Sequence, residues 1–299
     1  MDKVVLIKDI LNLLDEKGED YVFIGNLEEY IDGFSSITNY KEESLTWIKN
    51  SKNVPDRFDL KKVKLAVIQI EDDIETRNQI KCRDSKRIFF GILEAFFDNT
   101  TAVRNIGYGT YISPNVRLGE NVIIGHNCTL DGDIAIGNGT RIGNNVNIVN
   151  RVNIGNNCII QSLTTIGEDG FGYFEKDNKK TMVRHFGGVV IEDDVFIGSH
   201  VNIARGTIDD TIIKRGVKIA PSSHIGHNVS IDEDTTVICS QVFGSVKIGR
   251  NSYISSCTVR NQCTIGENTI IGMGSIVTKD VEDNVVAMGN PAKIRRKNL

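Results

Sequence analysis

An imidazole moves protons readily near neutral pH, because its ordinary pKa is about 6.5. The 299-residue chain has five histidines, and two of them, His224 and His227, stand three residues apart in "IAPSSHIGHNVSI". Three chemistries fit such a pair: a metal site, a general base beside a bystander, or two solvated side chains on a structural repeat. A catalytic zinc ordinarily takes three protein ligands, so two imidazoles leave that set short and no metal is expected. Two carboxylates, Asp209 and Asp210, precede the pair, and a third histidine, His185, sits in "MVRHFGG".

These residues must be positioned by an element, and the spacing of the aliphatics says which. From Ile106 an aliphatic recurs every sixth residue through Ile112, Leu118, Ile124, Leu130, Ile136, Ile142, Ile148, Ile154, Ile160 and Ile166. An amphipathic helix needs apolar positions three and four apart, so this period excludes one. Six residues suit a short strand and a corner, three such units close a triangular coil, and the coils stack to bury their aliphatics. Gly and Asn recur just after the aliphatics, where a corner needs a left-handed backbone. The pattern is the hexapeptide signature of the left-handed parallel β-helix. It breaks over 167–188, "GEDGFGYFEKDNKKTMVRHFGG", which reads as a loop thrown out of one coil. It resumes at Ile191, slips near Ile208 and again between Phe243 and Ile248, and continues to Val277.

Residues 1–100 lack the repeat and read as a small α+β domain. "KVVLIKDILNLLDEKG" and "DSKRIFFGILEAFFDN" carry apolar residues at helical spacing, with Asp84 or Ser85 capping the second. "YVFIG", "SLTWIKN" and "KLAVIQI" read as strands. The fold expected is mainly β: this domain, a β-helix over 101–280 and a basic tail over 281–299. The formal charge of −4 argues against a nucleic-acid surface. No apolar run reaches the ~18–20 residues of a membrane span. The N-terminal segment lacks a signal-peptide pattern, so a cytoplasmic protein with free thiols at its six scattered cysteines is expected.

The chain resembles the UDP-3-O-acylglucosamine N-acyltransferases of lipid A biosynthesis. The pieces that carry the resemblance are "SSITNYKEESLTWIKN", "DGFGY", "GGVVIEDDVFIGSHVNIARGTIDDTIIKRGVKI" and "HIGHNVSI", which span both domains in order. The resemblance implies a homotrimer with sites between adjacent β-helices and a uridine-binding first domain, with Trp47 and Asn50 at the nucleotide. It also implies that His227, in the "H-N-V" motif, is the general base. A later histidine that handles the acyl donor in the family falls at Gln262 here. The helical extension with which the family helps bind acyl carrier protein has no counterpart, and "GMGSIVTKDVEDNVVAMGNPAKI" looks like the CoA-dependent hexapeptide acetyltransferases.

The expected reaction is therefore acyl transfer from acyl-CoA (acetyl or a short 3-hydroxyacyl group) to the amine of a nucleotide-linked amino sugar, for a surface glycan. The alternative is the carrier-protein-dependent lipid A reaction itself. Counting three sixes per coil places His227 above Asp209, whose carboxylate would orient the imidazole. The next coil is one residue short, which places Gly244 or Ser245 over His227, and a glycine there lets a backbone N–H approach an oxyanion. His224 and His185 are candidate substrate contacts. Ser245, Gln262 and Lys293 are candidate donor contacts, with Arg295, Arg296 and Lys297 adding positive charge to the tail. Two other classes remain as rivals, a γ-class carbonic anhydrase-like metal enzyme and a non-enzymatic trimeric scaffold.

Overall fold

The computed structural model describes residues 4–56, 58–98 and 105–298. The chain divides into two compact units, Met1–Thr101 and Ala102–Leu299, and the expected boundary at 100/101 lies outside the described residues.

In the first unit a five-stranded sheet runs in the order Tyr21–Ile24, Gln79–Cys82, Leu65–Gln69, Ser44–Ile48, Gly33–Phe34. All neighbouring pairs are parallel except the first, which is antiparallel. The helices Ile7–Glu16 and Ser85–Phe97 bury Ile10, Leu14, Ile88, Phe89 and Ile92 against strand residues Leu45, Leu65, Val67 and Ile80. Asp84 is the cap of the second helix, its carboxylate accepting from Arg87 N–H at 3.2 Å.

The second unit is a left-handed parallel β-helix. Each face is a column of aliphatics in register. One runs Ile124, Ile142, Ile160, Ile197, Ile219, Val237, Ile254, another Ile154, Ile191, Ile213, Ile231, Ile248, Ile265. Nearly all are fully buried in one continuous core. A two-residue strand cannot bury its own apolar face, so each coil is stable only between its neighbours. The corners are left-handed, with Asn121, Asn127, Asn145 and Asn157 at φ of 54–56°. Asparagine tolerates that conformation because its short amide hydrogen-bonds locally.

The structure revises three readings of this unit. The later slip falls at the corner before Val242: Ile225 pairs with Val242, so Val242 points inward at 0% exposure and Phe243 turns outward at 42%. The insertion is ordered as a hairpin, Tyr173–Lys176 against Lys179–Met182, closed by Asp177 and Asn178 with φ of 52° and 55°. Two positive-φ central residues are what a tight hairpin turn requires. Finally, the end of the chain is no loose basic tail. Val285–Met288 stacks in parallel on Ile270–Ile271, and Lys293–Lys297 folds back on it antiparallel, which covers the last coil.

Candidate active site

Within the second unit, a cavity of about 630 Å³ opens between the insertion and the face carrying the histidine pair. It is lined by Asp169, Gly170, Phe171 and Met182 on the insertion and by Asn202, His224, His227, Phe243, Gly244 and Asn261 on successive coils.

His227 sits just before a left-handed corner at Asn228, whose φ is 58°. Its Nδ1 is 3.0 Å from Asn228 Oδ1. The orientation of that amide is determined by its surroundings. Its Oδ1 accepts from Thr207 N–H at 3.0 Å and from the Thr207 hydroxyl at 2.8 Å, while its Nδ2 donates to the Asp209 carbonyl at 2.9 Å. A flipped amide would set N–H against N–H and oxygen against oxygen. With an oxygen facing it, Nδ1 must carry the proton, so the neutral ring keeps its lone pair on Nε2. This arrangement corrects the expected role of Asp209. Its carboxylate is exposed, and it reaches the histidine only through its main-chain carbonyl and Asn228. The residues between Gly206 and Asp210 leave the six-residue spacing, so a simple count could not place the Asp209 carboxylate.

Gly244 lies directly against the imidazole. A Cβ on Gly244 would fall 2.6 Å from His227 Nε2, closer than real carbon atoms approach, so the position excludes a side chain. Among the described residues no group accepts from the Gly244 N–H. Ser245 and Gln262 stand beside this stack as left-handed corner residues with φ of 61° and 65°. The cavity wall two coils above His227 is Asn261, not the expected Gln262, and Asn261 follows from continuing the same 17-residue step past Gly244.

His224 is half-buried, and burial pushes its pKa below the ordinary histidine value. Asn202 Nδ2 lies 3.2 Å from its Nδ1. With Asn202 as donor, the neutral ring presents Nε2–H as a donor. Phe243 meets its ring edge-on at 6.4 Å. His185 is fully buried behind Gly170, edge-to-face with His227 at 5.3 Å between centroids.

The insertion is anchored at both ends. Arg205, itself buried, donates from Nε to the Gly187 carbonyl at 2.7 Å and lies 3.9 Å from the Asp169 carboxylate. Asp210 accepts from Gly188 N–H at 2.7 Å and pairs with Arg151.

Trp47, Asn50 and Lys293 do not line this cavity. Trp47 stacks on Phe89 at 6.4 Å, meets Phe90 edge-on and donates its indole N–H to Ser85 Oγ at 3.0 Å. It is half-buried and packs against the hydrophobic core of the first unit. Asn50 caps a short 3₁₀ turn, its Oδ1 accepting from Lys52 N–H at 3.1 Å. Lys293 is exposed in the terminal hairpin and does not line the cavity. Among the described residues no group of three or more His, Cys, Asp or Glu side chains is arranged to hold a metal ion. No helix among them is long and apolar enough to cross a membrane.

Comparison with known proteins gives this geometry its context. The family described as "GMPPB C-terminal domain" matches residues 207–294, the later coils. A UDP-3-O-acylglucosamine N-acyltransferase of Fusobacterium nucleatum is 41% identical, over 78% of this chain and 73% of its own length. A second enzyme of that name, from Rhodopseudomonas palustris, is 36% identical over 46% of this chain and 38% of its own length. Among solved structures, the UDP-N-acetylglucosamine O-acyltransferase of Moraxella catarrhalis superposes with a TM-score of 0.60 at 26% identity, covering 65% of this chain and 75% of that one. The UDP-N-acetylglucosamine acyltransferase of Bacteroides fragilis gives 0.58 at 25% identity, covering 66% and 74%.

Proposed function

Since the chain belongs to the UDP-3-O-acylglucosamine N-acyltransferase family, we propose that it acylates the amine of UDP-3-O-acylglucosamine in lipid A biosynthesis, with His227 as general base. The single observation that carries this reading is the tautomer of His227, with Nδ1–H donating to a locked amide oxygen and the Nε2 lone pair left for a proton.

The neutral sugar amine attacks the thioester carbonyl carbon, forming the C–N bond while its proton passes to His227 Nε2. The carbonyl oxygen becomes an oxyanion and is met by the Gly244 N–H, which has no other acceptor among the described residues. Collapse breaks the C–S bond, and the imidazolium returns its proton to the departing thiolate. His224, neutral and offering Nε2–H, holds an acceptor oxygen of the sugar or the acyl group. Phe171, Met182 and Phe243 give the cavity an apolar side suited to the acyl chain.

The relatives' names match the lipid A reaction of the alternative reading better than the CoA reading drawn from the C-terminal motif, and that reaction uses acyl carrier protein. The donor is accordingly an acyl group on acyl carrier protein. The working form is a homotrimer, which a mass measurement in solution would check. The deciding experiment offers purified protein UDP-3-O-acylglucosamine with either acyl carrier protein thioesters or acyl-CoAs and follows thiol release. Turnover with the carrier-protein donor is expected. Turnover with acyl-CoA alone would return the donor to CoA, and no acylation of the sugar amine by either donor would sink the reading.

A further inference from the structure

The insertion holds a buried group that the transfer as written does not use. His185 is 0% exposed. Its Nδ1 is 3.0 Å from the Val183 carbonyl, which only accepts, so Nδ1 carries the ring proton. The lone pair is therefore on Nε2, a buried atom with no hydrogen-bond partner among the described residues. Leaving a buried acceptor unpaired is unfavourable and calls for an explanation.

The ring is held where it is. Its main-chain N–H donates to Asp169 Oδ2 at 3.2 Å, and Arg205 grips Gly187 just beyond it. The His185 and His227 rings meet edge-to-face, 5.3 Å between centroids, and Gly170 lies against both. A Cβ there would fall 2.9 Å from His227 Cδ2 and 3.0 Å from His185 Nε2.

We propose that His185 is a positioning residue for His227, a neutral imidazole whose Nε2 lone pair supports the imidazolium that His227 becomes on accepting the amine proton. The proposal rests on His227 being the base. Nε2 is the negative end of a neutral Nδ1–H imidazole, and in a buried setting such a dipole acts more strongly than it would in water. Asn228 supports the charge from the Nδ1 side and His185 from the Gly170 side. Ionisable groups near the pair include Asp169, Arg205, Asp209 and His224. The proton passes from amine to His227 to thiolate, and His185 neither gains nor loses one. The insertion thereby takes part in proton transfer besides walling the cavity.

Two substitutions separate the two nitrogens of His185. His185→Asn keeps a donor for the Val183 carbonyl and removes Nε2, whereas His185→Gln returns an amide oxygen near the Nε2 position. In N-acylation of UDP-3-O-acylglucosamine, His185→Asn should lower kcat on the order of tenfold and leave KM within about twofold. It should also move the acid limb of the kcat profile to lower pH, because a less supported imidazolium loses its proton more readily. His185→Gln should recover most of kcat, and His185→Asn placed in a His227→Ala background should add no loss. An unchanged kcat in His185→Asn, or the same loss with and without His227, overturns the proposal. Full activity of His227→Ala alone would instead overturn the base assignment beneath it. Nitrogen-15 NMR of histidine-labelled wild-type protein tests the idea without any variant. The neutral His185 ring should carry its proton on Nδ1, and a proton on Nε2 instead overturns the proposal.

Discussion

His227 and Trp47 carry the two most suggestive side chains of their respective units, and their surroundings use them in opposite ways. Around Trp47 the polar group is satisfied and packing contacts are made: the indole N–H is taken by Ser85, a ring face by Phe89 and an edge by Phe90. Around His227 the neighbours complete one side of the ring and leave the other free. Nδ1 is tied to Asn228, while Nε2 faces Gly244 and the cavity. Satisfied polar groups hold a fold together. A polar group held rigidly with a valence left over is organised for a ligand or a proton.

Four substitutions test that contrast, taken from the largest expected effect to the smallest. His227→Ala should reduce kcat by roughly 10²–10⁴-fold with little change in the urea midpoint. Near wild-type acylation would show that the free Nε2 does no chemistry. Gly244→Ala places a methyl group against His227 Nε2, and steady-state kinetics should show a loss on the order of 10²-fold. A variant of normal activity would mean that neither the close approach nor the N–H matters. For Trp47→Ala the contrast predicts the reverse pattern, a destabilisation of about 2–3 kcal/mol in urea unfolding with kcat of the folded enzyme preserved. A large rise in KM for the nucleotide sugar at unchanged stability would restore Trp47 as a base platform.

The smallest effect concerns His224, whose pKa is lowered in the fold by burial. As pH falls below about 6.5 the unfolded chain gains a proton that the folded protein resists taking up. Stability is therefore complete above that pH and is lost as pH falls through the lower folded value. His224→Gln should flatten this acid loss, read as urea midpoints across the range. An identical slope in both proteins would mean that burial of His224 carries no such linkage.

Much of this site was legible because the β-helix converts sequence distance into spatial distance. Counting coils brought Gly244 or Ser245 over His227, the structure sets Gly244 against the ring, and continuing by 17 residues reaches Asn261. The count failed wherever the chain left the repeat. Phe243 has the hydrophobicity of a core anchor, yet a residue dropped at the preceding corner gives the inward place to Val242 and sends Phe243 to the cavity. Asp209 lies in an irregular stretch, and only the folded path shows that it contributes a carbonyl rather than a carboxylate. In the first unit, Trp47 and Asn50 were assigned by resemblance, and no periodicity there could reveal that Ser85 and Lys52 already engage them.

From the sequence alone came the period of six, hence the stacked coils, and the alignment of His227 with Gly244 or Ser245 one coil on. Those depend on local backbone geometry repeated many times, and repetition makes them countable. Tertiary structure alone decided which nitrogen of His227 is free, what holds its other nitrogen, and that His185, 42 residues earlier in the chain, packs against it. These depend on the orientation of single side chains and on the path of a non-repeating insertion, and no spacing rule encodes either.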